Sequence, residues 1–290
     1  MSITRASCCK VNLFLNVLRR RPDGFHEIET VFYPVPLFDY LTIEKRGVGI
    51  NLTCNNPSLP VDSQNLVYKA AEAFLKKLGT NEGVEIFLDK RLPIAAGIGG
   101  GSSNAANTLL GLNELFGFPL DAETIFNLAA SLGSDVPFFL DSKPAIATGR
   151  GEKLQRLPQL SSIKGAYILL IHPGFGVSTK WAYSELSKFH EIYSDKSKSV
   201  ASFVELLQTK TIEEAAPYFY NVLEKPVFRK YPILEIYKEF NNENGAVVSL
   251  MSGSGSTVFA ILKSKDDTEN LIEKFQNKFG LSNWIAIAQL

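Results

Sequence analysis

The sequence predicts a fold that mixes strands and helices, and three stretches carry that expectation. Near the N-terminus the chain alternates: Val11, Leu13, Leu15 and Val17 fall on one face of an extended strand, and Lys10, Asn12 and Asn16 fall on the other. From Pro93 to Ala106 runs a small-residue stretch with glycines at 97, 99, 100 and 101. It leads into helical spacing at Ala105, Leu109, Leu112 and Phe116. Finally, Ser252-Gly253-Ser254-Gly255-Ser256-Thr257 separates two apolar runs, Ala246 to Met251 and Val258 to Leu262, which is the pattern of a hairpin with a small-residue turn.

The remaining elements follow in chain order. Arg19 to Gly24 reads as a turn pivoting on Asp23-Gly24, and Phe25 to Tyr33 resumes an extended pattern. Residues 39–53 give two short strands around Gly47 and Gly49, and 57–63 form a loop. Residues 65–78 are helical, with Leu66, Ala70, Ala73 and Phe74 tracking the faces, and Val84 to Leu88 is a strand that feeds the glycine-rich stretch. Gly117 ends the following helix and Pro119 prevents its return. Asp121 caps the next helix, where Ile125, Leu128, Ala129 and Leu132 recur, and Gly133 stops it. The loop from Pro158 to Lys164 divides the chain into parts 1–160 and 161–290. Beyond it come a strand over 166–171, a capped helix over 178–188 and a polar connector over 194–199. Helical patterns then run through Phe240, and a helix near 270–279 and a strand near 284–287 close the chain.

At 290 residues the chain can bury one large core or two modest ones. Its 30 Lys and Arg residues balance its 30 Asp and Glu residues, so charge gives no case for a nucleic-acid partner. No run reaches the length of a membrane span. The apolar patch from Val11 to Leu18 is interrupted by Asn12 and Asn16 and reads as a strand rather than a signal peptide. Three cysteines, with Cys8 and Cys9 adjacent and Cys54 apart, make no disulfide framework. His26, His172 and His190 show no metal-ligand spacing. The expectation is a cytoplasmic protein.

A glycine-rich loop running into a helix is suited to an anion. Without Cβ atoms the backbone N–H groups can approach a ligand closely, and the first helical N–H groups lack partners where the macrodipole favours negative charge. Ser102, Ser103 and Asn104 are good N-cap residues. A flexible loop before a capped helix is the plainer reading. Three consecutive glycines are costly to order, however, and phosphate binding accounts for them better. The stretch is no Walker loop, since no Gly-Lys dipeptide occurs, and Ser102 stands where a dinucleotide fingerprint needs its third glycine. Taken singly, Lys10 reads as part of a solvated strand face, Asp135 as a capping or Asx-turn residue, Phe25 as core and Tyr183 as a half-buried helix aromatic.

Together these stretches resemble the GHMP kinases, the superfamily of galactokinase, homoserine kinase, mevalonate kinase and phosphomevalonate kinase. The ATP loop of that family reads Pro-x-x-x-Gly-Leu-Gly-Ser-Ser-x-Ala. The longer form here, Gly97-Ile98-Gly99-Gly100-Gly101-Ser102-Ser103-Asn104-Ala105-Ala106, is similar to one branch, the kinases of 4-diphosphocytidyl-2-C-methyl-D-erythritol in the non-mevalonate isoprenoid pathway. Lys10-Val11-Asn12-Leu13-Phe14-Leu15 and Arg21-Pro22-Asp23-Gly24-Phe25-His26 resemble that branch's first motif, with Cys8-Cys9 where Pro-Ala is usual. Gly133-Ser134-Asp135-Val136-Pro137-Phe138-Phe139 resembles its catalytic-aspartate segment, and the Ser252 to Thr257 run resembles the third motif.

The resemblance implies a two-lobed α+β fold, with a ribosomal-protein-S5-like α/β lobe followed by a ferredoxin-like lobe. It implies ATP and Mg²⁺, with Pro93, Ile94, Ala95, Ala96, Gly97, Ile98, Gly99, Gly100, Gly101, Ser102 and Ser103 around the phosphates, a helix starting at Ser103, and Asn65 on the adenine side. Ser102 or Ser103 would contact the metal ion. Asp135 would be the general base, with Lys10 beside it, and Asn12, Phe25, His26 and Tyr183 would bind 4-diphosphocytidyl-2-C-methyl-D-erythritol, whose 2-hydroxyl accepts the phosphoryl group. Two alternatives remain. One is a homoserine- or mevalonate-type kinase, whose substrates carry no base for Phe25 and His26. The other is a non-catalytic ATP-binding sensor, against which the presence of both Lys10 and Asp135 speaks.

Overall fold

The computed structural model describes residues 2–189 and 199–290. The polar connector expected over 194–199 lies outside them except for Ser199. The chain forms two compact units. The first draws on the segment ending at Cys9 and on Phe38–Leu92 and Gly99–Ser142. The second draws on Lys10–Leu37, Pro93–Ile98 and the segment from Lys143 to Leu290. Two long strands, β1 (Ser2–Arg20) and β2 (His26–Lys45), each contribute to both.

In the first unit β3 (Ile50–Cys54) lies parallel to β4 (Val84–Asp89), which runs antiparallel to the last part of β2 with Tyr40 opposite Asp89 and Lys45 opposite Val84. Leu41, Ile43, Val84, Ile86 and Leu88 are buried on alternate positions, as a sheet covered on one face requires. Helices α1 (Leu66–Leu78), α2 (Gly100–Leu115) and α3 (Ala122–Leu132) complete the unit. Helix α1 buries Val67, Ala70, Ala71 and Phe74 along one stripe. Helix α2 is buried nearly all round, and Gly111 lets it lie on β2: a Cβ there would sit 2.7 Å from the Ile43 Cδ1. A 3-10 turn, Val136–Leu140, follows α3.

In the second unit the first part of β2 pairs antiparallel with β5 (Ala145–Gly149), Ile28 opposite Gly149, and β5 pairs with β6 (Lys153–Arg156). Beyond these come β7 (Tyr167–His172), α4 (Thr179–Leu186), α5 (Val200–Thr209), α6 (Ile212–Ala215) and β8 (Tyr220–Asn221), the last parallel to β1 at Phe14 and Leu15. The chain continues as α7 (Glu224–Lys230), α8 (Pro232–Glu243), β9 (Val248–Met251), β10 (Val258–Leu262), α9 (Lys265–Phe279) and β11 (Trp284–Gln289). Strands β7, β9, β10 and β11 form an antiparallel sheet in the order β11-β7-β10-β9, with α8 between β7 and β9 in the chain and α9 between β10 and β11. That β-α-β-β-α-β order is the ferredoxin-like arrangement. Leu169, Ile171, Leu234, Phe240, Val258, Ala260, Leu271 and Phe275 fill its core.

Three local expectations are corrected. Residues 26–45 form one strand, continuous with the extended stretch before Pro34. Pro34 and Pro36 interrupt nothing on this edge, because they fall between the ladder at 28–32 and the ladder at 40–45. Helix α9 begins near 265, where Ser264 caps it by accepting from the Asp267 N–H at 3.1 Å and Asp266 and Asp267 complement the dipole. The polar side of β1 is not solvated: Lys10, Asn12 and Asn16 are all buried.

Candidate active site

The segment Pro93–Ile98 lies in the second unit, where the Ser252 to Thr257 turn packs on it. Ser252 Oγ donates to the Gly97 carbonyl at 3.0 Å, and the Thr257 N–H donates to the Ala96 carbonyl at 3.1 Å. Gly97 has φ +78°, and a Cβ there would meet the Ser252 carbonyl oxygen at 2.2 Å. The position therefore needs glycine twice over, for its backbone region and for the close approach. Gly176 admits Ala95 in the same manner, with a Cβ only 2.7 Å from the Ala95 Cβ. Ser256 Oγ donates to the Phe175 carbonyl. Two small-residue motifs far apart in sequence thus form one packed structure.

Lys10 reaches this structure from β1. Its backbone N–H donates to the Ile98 carbonyl at 2.9 Å, and its ammonium donates to the Gly97 carbonyl at 3.2 Å and to Asn12 Oδ1 at 2.6 Å. Lys10 and Asn12 are each 3% exposed. Asn12 Nδ2 donates to Thr30 Oγ1 at 2.8 Å, and Thr30 Oγ1 donates to the Phe14 carbonyl at 2.5 Å. Because the Thr30 proton is committed to Phe14, the asparagine must present its NH₂ to Thr30 and its carbonyl to Lys10. The Phe32 ring lies 5.0 Å from the ammonium. Alternation along β1 thus delivers a charge and an oriented amide to the glycine loop.

The aromatic candidates separate into two groups. The His26 ring stacks on Tyr183 with centroids 5.2 Å apart and planes 28° apart. His26 Nε2 is buried with no hydrogen-bond partner. Burial first, and the Arg20 charge second, push the His26 pKa below its ordinary value. Phe25 instead carries the Arg150 guanidinium 4.9 Å over its ring and is 51% exposed. Its N–H donates to Asp23 Oδ1 at 3.1 Å, which fixes the turn before it. Tyr183 belongs to α4, whose residue Thr179, one turn earlier on the same face, shares a 2.9 Å hydrogen bond with Ser254. The helix bearing Tyr183 is thereby tied to the turn that packs on Gly97.

The other candidates lie in the first unit. Helix α2 begins at Gly100, three residues before the expected start, with Gly99 (φ +70°) before it and no side-chain cap. The Ser103 N–H already donates to the Gly99 carbonyl at 2.9 Å, so the serines occupy the first turn rather than the cap. Ser103 is buried and its hydroxyl accepts from Ser7 Oγ at 2.8 Å, whereas Ser102 is half-buried. Asn65 caps α1: its Oδ1 accepts from the Val67 N–H at 2.9 Å and its Nδ2 donates to the Pro60 carbonyl at 2.7 Å. Asp135 is half-buried before the 3-10 turn and makes no cap hydrogen bond to it.

Sequence reasoning missed Asp39, which is fully buried and accepts from the Arg91 and Leu92 N–H groups at 2.8 Å, from Asn104 Nδ2 at 3.0 Å and from the Lys90 ammonium. Asn104 also donates to Ser7 Oγ at 3.0 Å, so one carboxylate secures the end of β4 and the first turn of α2. A Cβ on Gly100 would lie 3.1 Å from the Lys90 ammonium, a contact that the Asp39–Lys90 pair would have to yield to accommodate. The available signal was a lone carboxylate inside the apolar run from Val35 to Leu41.

Comparison with known proteins gives a consistent result. The GHMP kinases N terminal domain model matches residues 65–143, and the GHMP kinases C terminal model matches residues 203–281. A 4-diphosphocytidyl-2-C-methyl-D-erythritol kinase of Syntrophomonas wolfei is 40% identical over 271 residues, 93% of this chain and 93% of that protein. Another, of Geobacter metallireducens, is 35% identical over 288 residues, 99% of this chain and 98% of that protein. A solved 4-(cytidine 5'-diphospho)-2C-methyl-D-erythritol kinase structure superposes with a TM-score of 0.82 at 34% identity, covering 99% of this chain and 100% of the other.

Proposed function

The chain belongs to the GHMP kinases, and on that premise we propose that it transfers the γ-phosphoryl group of ATP to the 2-hydroxyl of 4-diphosphocytidyl-2-C-methyl-D-erythritol. The observation that carries this reading is the buried Lys10 ammonium, held against the Gly97 carbonyl of the glycine loop and oriented by Asn12. Phosphoryl transfer asks the protein chiefly for positioning and charge stabilisation, and a desolvated, fixed cation supplies both.

Each remaining candidate takes a role that its surroundings permit. Helix α2 starts with no side-chain cap, which leaves its first-turn N–H groups for the ATP phosphates. Ser102 is the serine assigned to Mg²⁺, because the Ser103 hydroxyl is buried against Ser7. The ion would spread negative charge away from the phosphates. Asp135 is assigned as the base that takes the hydroxyl proton, Lys10 as the cation that stabilises the developing charge, and Asn12 as its orienting neighbour. The adenine is assigned to the Asn65 end of α1. The cytosine is assigned to Phe25, Tyr183 and His26, and the neutral imidazole of His26 offers its unpartnered Nε2 to the base edge. The regions matched by the two family models lie on either side of residue 160, which supports N-terminal and C-terminal domains meeting near there. A small-molecule acceptor requires neither nucleic acid nor membrane, and we place the enzyme in the cytoplasm.

The test is ADP release with ATP and the cytidyl acceptor, with the product identified by mass. Formation of the monophosphorylated acceptor is expected. Turnover of homoserine or mevalonate with none of the cytidyl compound would transfer the chain to another branch. Tight ATP binding with no ADP formed on any alcohol would favour a sensor.

A further inference from the structure

Asn221 sits on the two-residue strand β8, opposite Leu15 of β1, and is 3% exposed. Its Nδ2 donates to the Met251 carbonyl at 2.7 Å and to the Gly253 carbonyl at 2.8 Å, while its Oδ1 accepts from the Leu223 N–H at 3.0 Å. The amide orientation is unambiguous, because only the oxygen can accept from a backbone N–H and only the NH₂ can donate to two carbonyls. Met251 is held from a second direction, its N–H donating to Glu224 Oε1 at 2.8 Å while the same carboxylate pairs with Lys238 at 2.5 Å. Residues 251–253 are therefore gripped by two side chains from one short segment, the buried Asn221 and the half-buried Glu224.

What that grip fixes is the surroundings of Lys10. Ser252 Oγ donates to the Gly97 carbonyl that also accepts from the Lys10 ammonium. A Cβ placed on Gly253 would lie 3.0 Å from that carbonyl oxygen, 3.3 Å from Asn12 Oδ1 and 3.6 Å from the Lys10 ammonium. We propose that Asn221 is a positioning residue for phosphoryl transfer, which sets the placement of Ser252 and Gly253 and through them the carbonyl on which Lys10 rests. The inference rests on the reading of Lys10 as the charge-stabilising cation. Reacting groups displaced by about 1 Å by a remote change can lose on the order of 10²-fold in rate.

The experiment compares kcat and KM for Asn221→Asp, Asn221→Ser and Asn241→Ala with the parent enzyme. Asp keeps the shape of Asn but cannot donate to two carbonyls, and Ser keeps at most one donor. Asn241 is the control: equally buried in the same unit, it donates to Ser249 Oγ at 3.1 Å rather than to the loop. Asn221→Asp is expected to lower kcat about 10²-fold with little change in KM for the acceptor, Asn221→Ser to fall between, and Asn241→Ala to lower the melting temperature while keeping kcat. If Asn221→Asp does not fold, Asn221→Ser carries the comparison. A folded Asn221 variant with parental kcat overturns the inference, as does an equal kcat loss in Asn241→Ala. Absence of turnover by the parent enzyme on any alcohol would instead overturn the kinase reading.

Discussion

Lys10 and Ser252 converge on one atom: the Gly97 carbonyl oxygen accepts from the lysine ammonium at 3.2 Å and from the serine hydroxyl at 3.0 Å. Residues 242 positions apart in the chain thus define a single point of the second unit. The lysine brings charge, and the serine keeps the loop from retreating. Neither residue would mark this point without the glycine between them.

Lys10→Ala is expected to lower kcat by about 10²–10³, the usual loss for a fixed charge-stabilising donor, while circular dichroism stays native. Lys10→Arg is expected to fail as well, because a planar guanidinium cannot reproduce the compact ammonium between Asn12 Oδ1 and the Gly97 carbonyl. Parental turnover in either variant would remove Lys10 from the chemistry.

Asp135→Asn is expected to cost roughly 10²–10⁴ in kcat, the range for loss of a general base, with ATP affinity nearly unchanged. Equilibrium binding of a non-hydrolysable ATP analogue checks the second half. Weakened nucleotide binding with normal turnover at saturation would mean that Asp135 shapes the site without handling the proton.

Gly97→Ala meets two obstacles at once, the left-handed backbone at φ +78° and the Ser252 carbonyl 2.2 Å from the new Cβ. The conformational part alone costs about 1–2 kcal/mol. The obstruction is backbone and cannot swing away, so the loop itself must shift. A lower urea midpoint together with a raised KM for ATP is expected. Gly174→Ala, also at positive φ (+86°) but with no atom within 4 Å of its Cβ, is expected to show the smaller stability loss and an unchanged KM.

His26 and His172 are expected to make stability depend on pH. Burial pushes the pKa of both His26 and His172 below the ordinary 6.5, and the Gly174 N–H, donating to His172 Nδ1 at 3.2 Å, requires that nitrogen unprotonated. As pH falls below about 6.5 the unfolded chain takes up these protons first, so ν_U exceeds ν_N and stability rises with pH through the window. It is retained above 6.5 and lost as pH falls towards the depressed folded values. Melts from pH 7.5 down to 5 should show this decline, and His172→Gln, which can still accept from Gly174, should flatten it. A decline unchanged in that variant would exclude His172 as a contributor.

Asp39→Ala is expected to destabilise the protein by about 3–5 kcal/mol, since it leaves the Lys90 ammonium buried without its counter-charge and two backbone N–H groups without an acceptor. Asp39→Asn keeps an acceptor and should cost less. Urea denaturation orders the two, and a reversed order would show that the charge is not what the network needs.

Local pattern carried much of the fold into the sequence. Alternation at Val11, Leu13, Leu15 and Val17, helical spacing after Ala105, the Asp121 cap and the hairpin around Ser252 are all short-range preferences that survive in the structure. The fine placement of helix starts did not follow from propensity. Glycines 100 and 101 look like loop and yet form the first turn of α2, where a Cβ on Gly100 would crowd the Lys90 ammonium at 3.1 Å. Lys10 and Asn12 look like a solvated face, since a period of two says which side a residue takes but not what covers that side.

The sequence by itself determined the order of elements and the identity of the small-residue motifs, because both rest on the backbone freedom of individual residues and on spacing along the chain. Only the tertiary structure decided that Gly97 and Ser252 touch, that Asn221 holds the second motif in place, that Asp39 anchors α2, and that His26 leaves a nitrogen unpartnered beside Tyr183. Those are contacts across long stretches of chain, and they are selected by how the packed elements fit rather than by any preference of neighbouring residues.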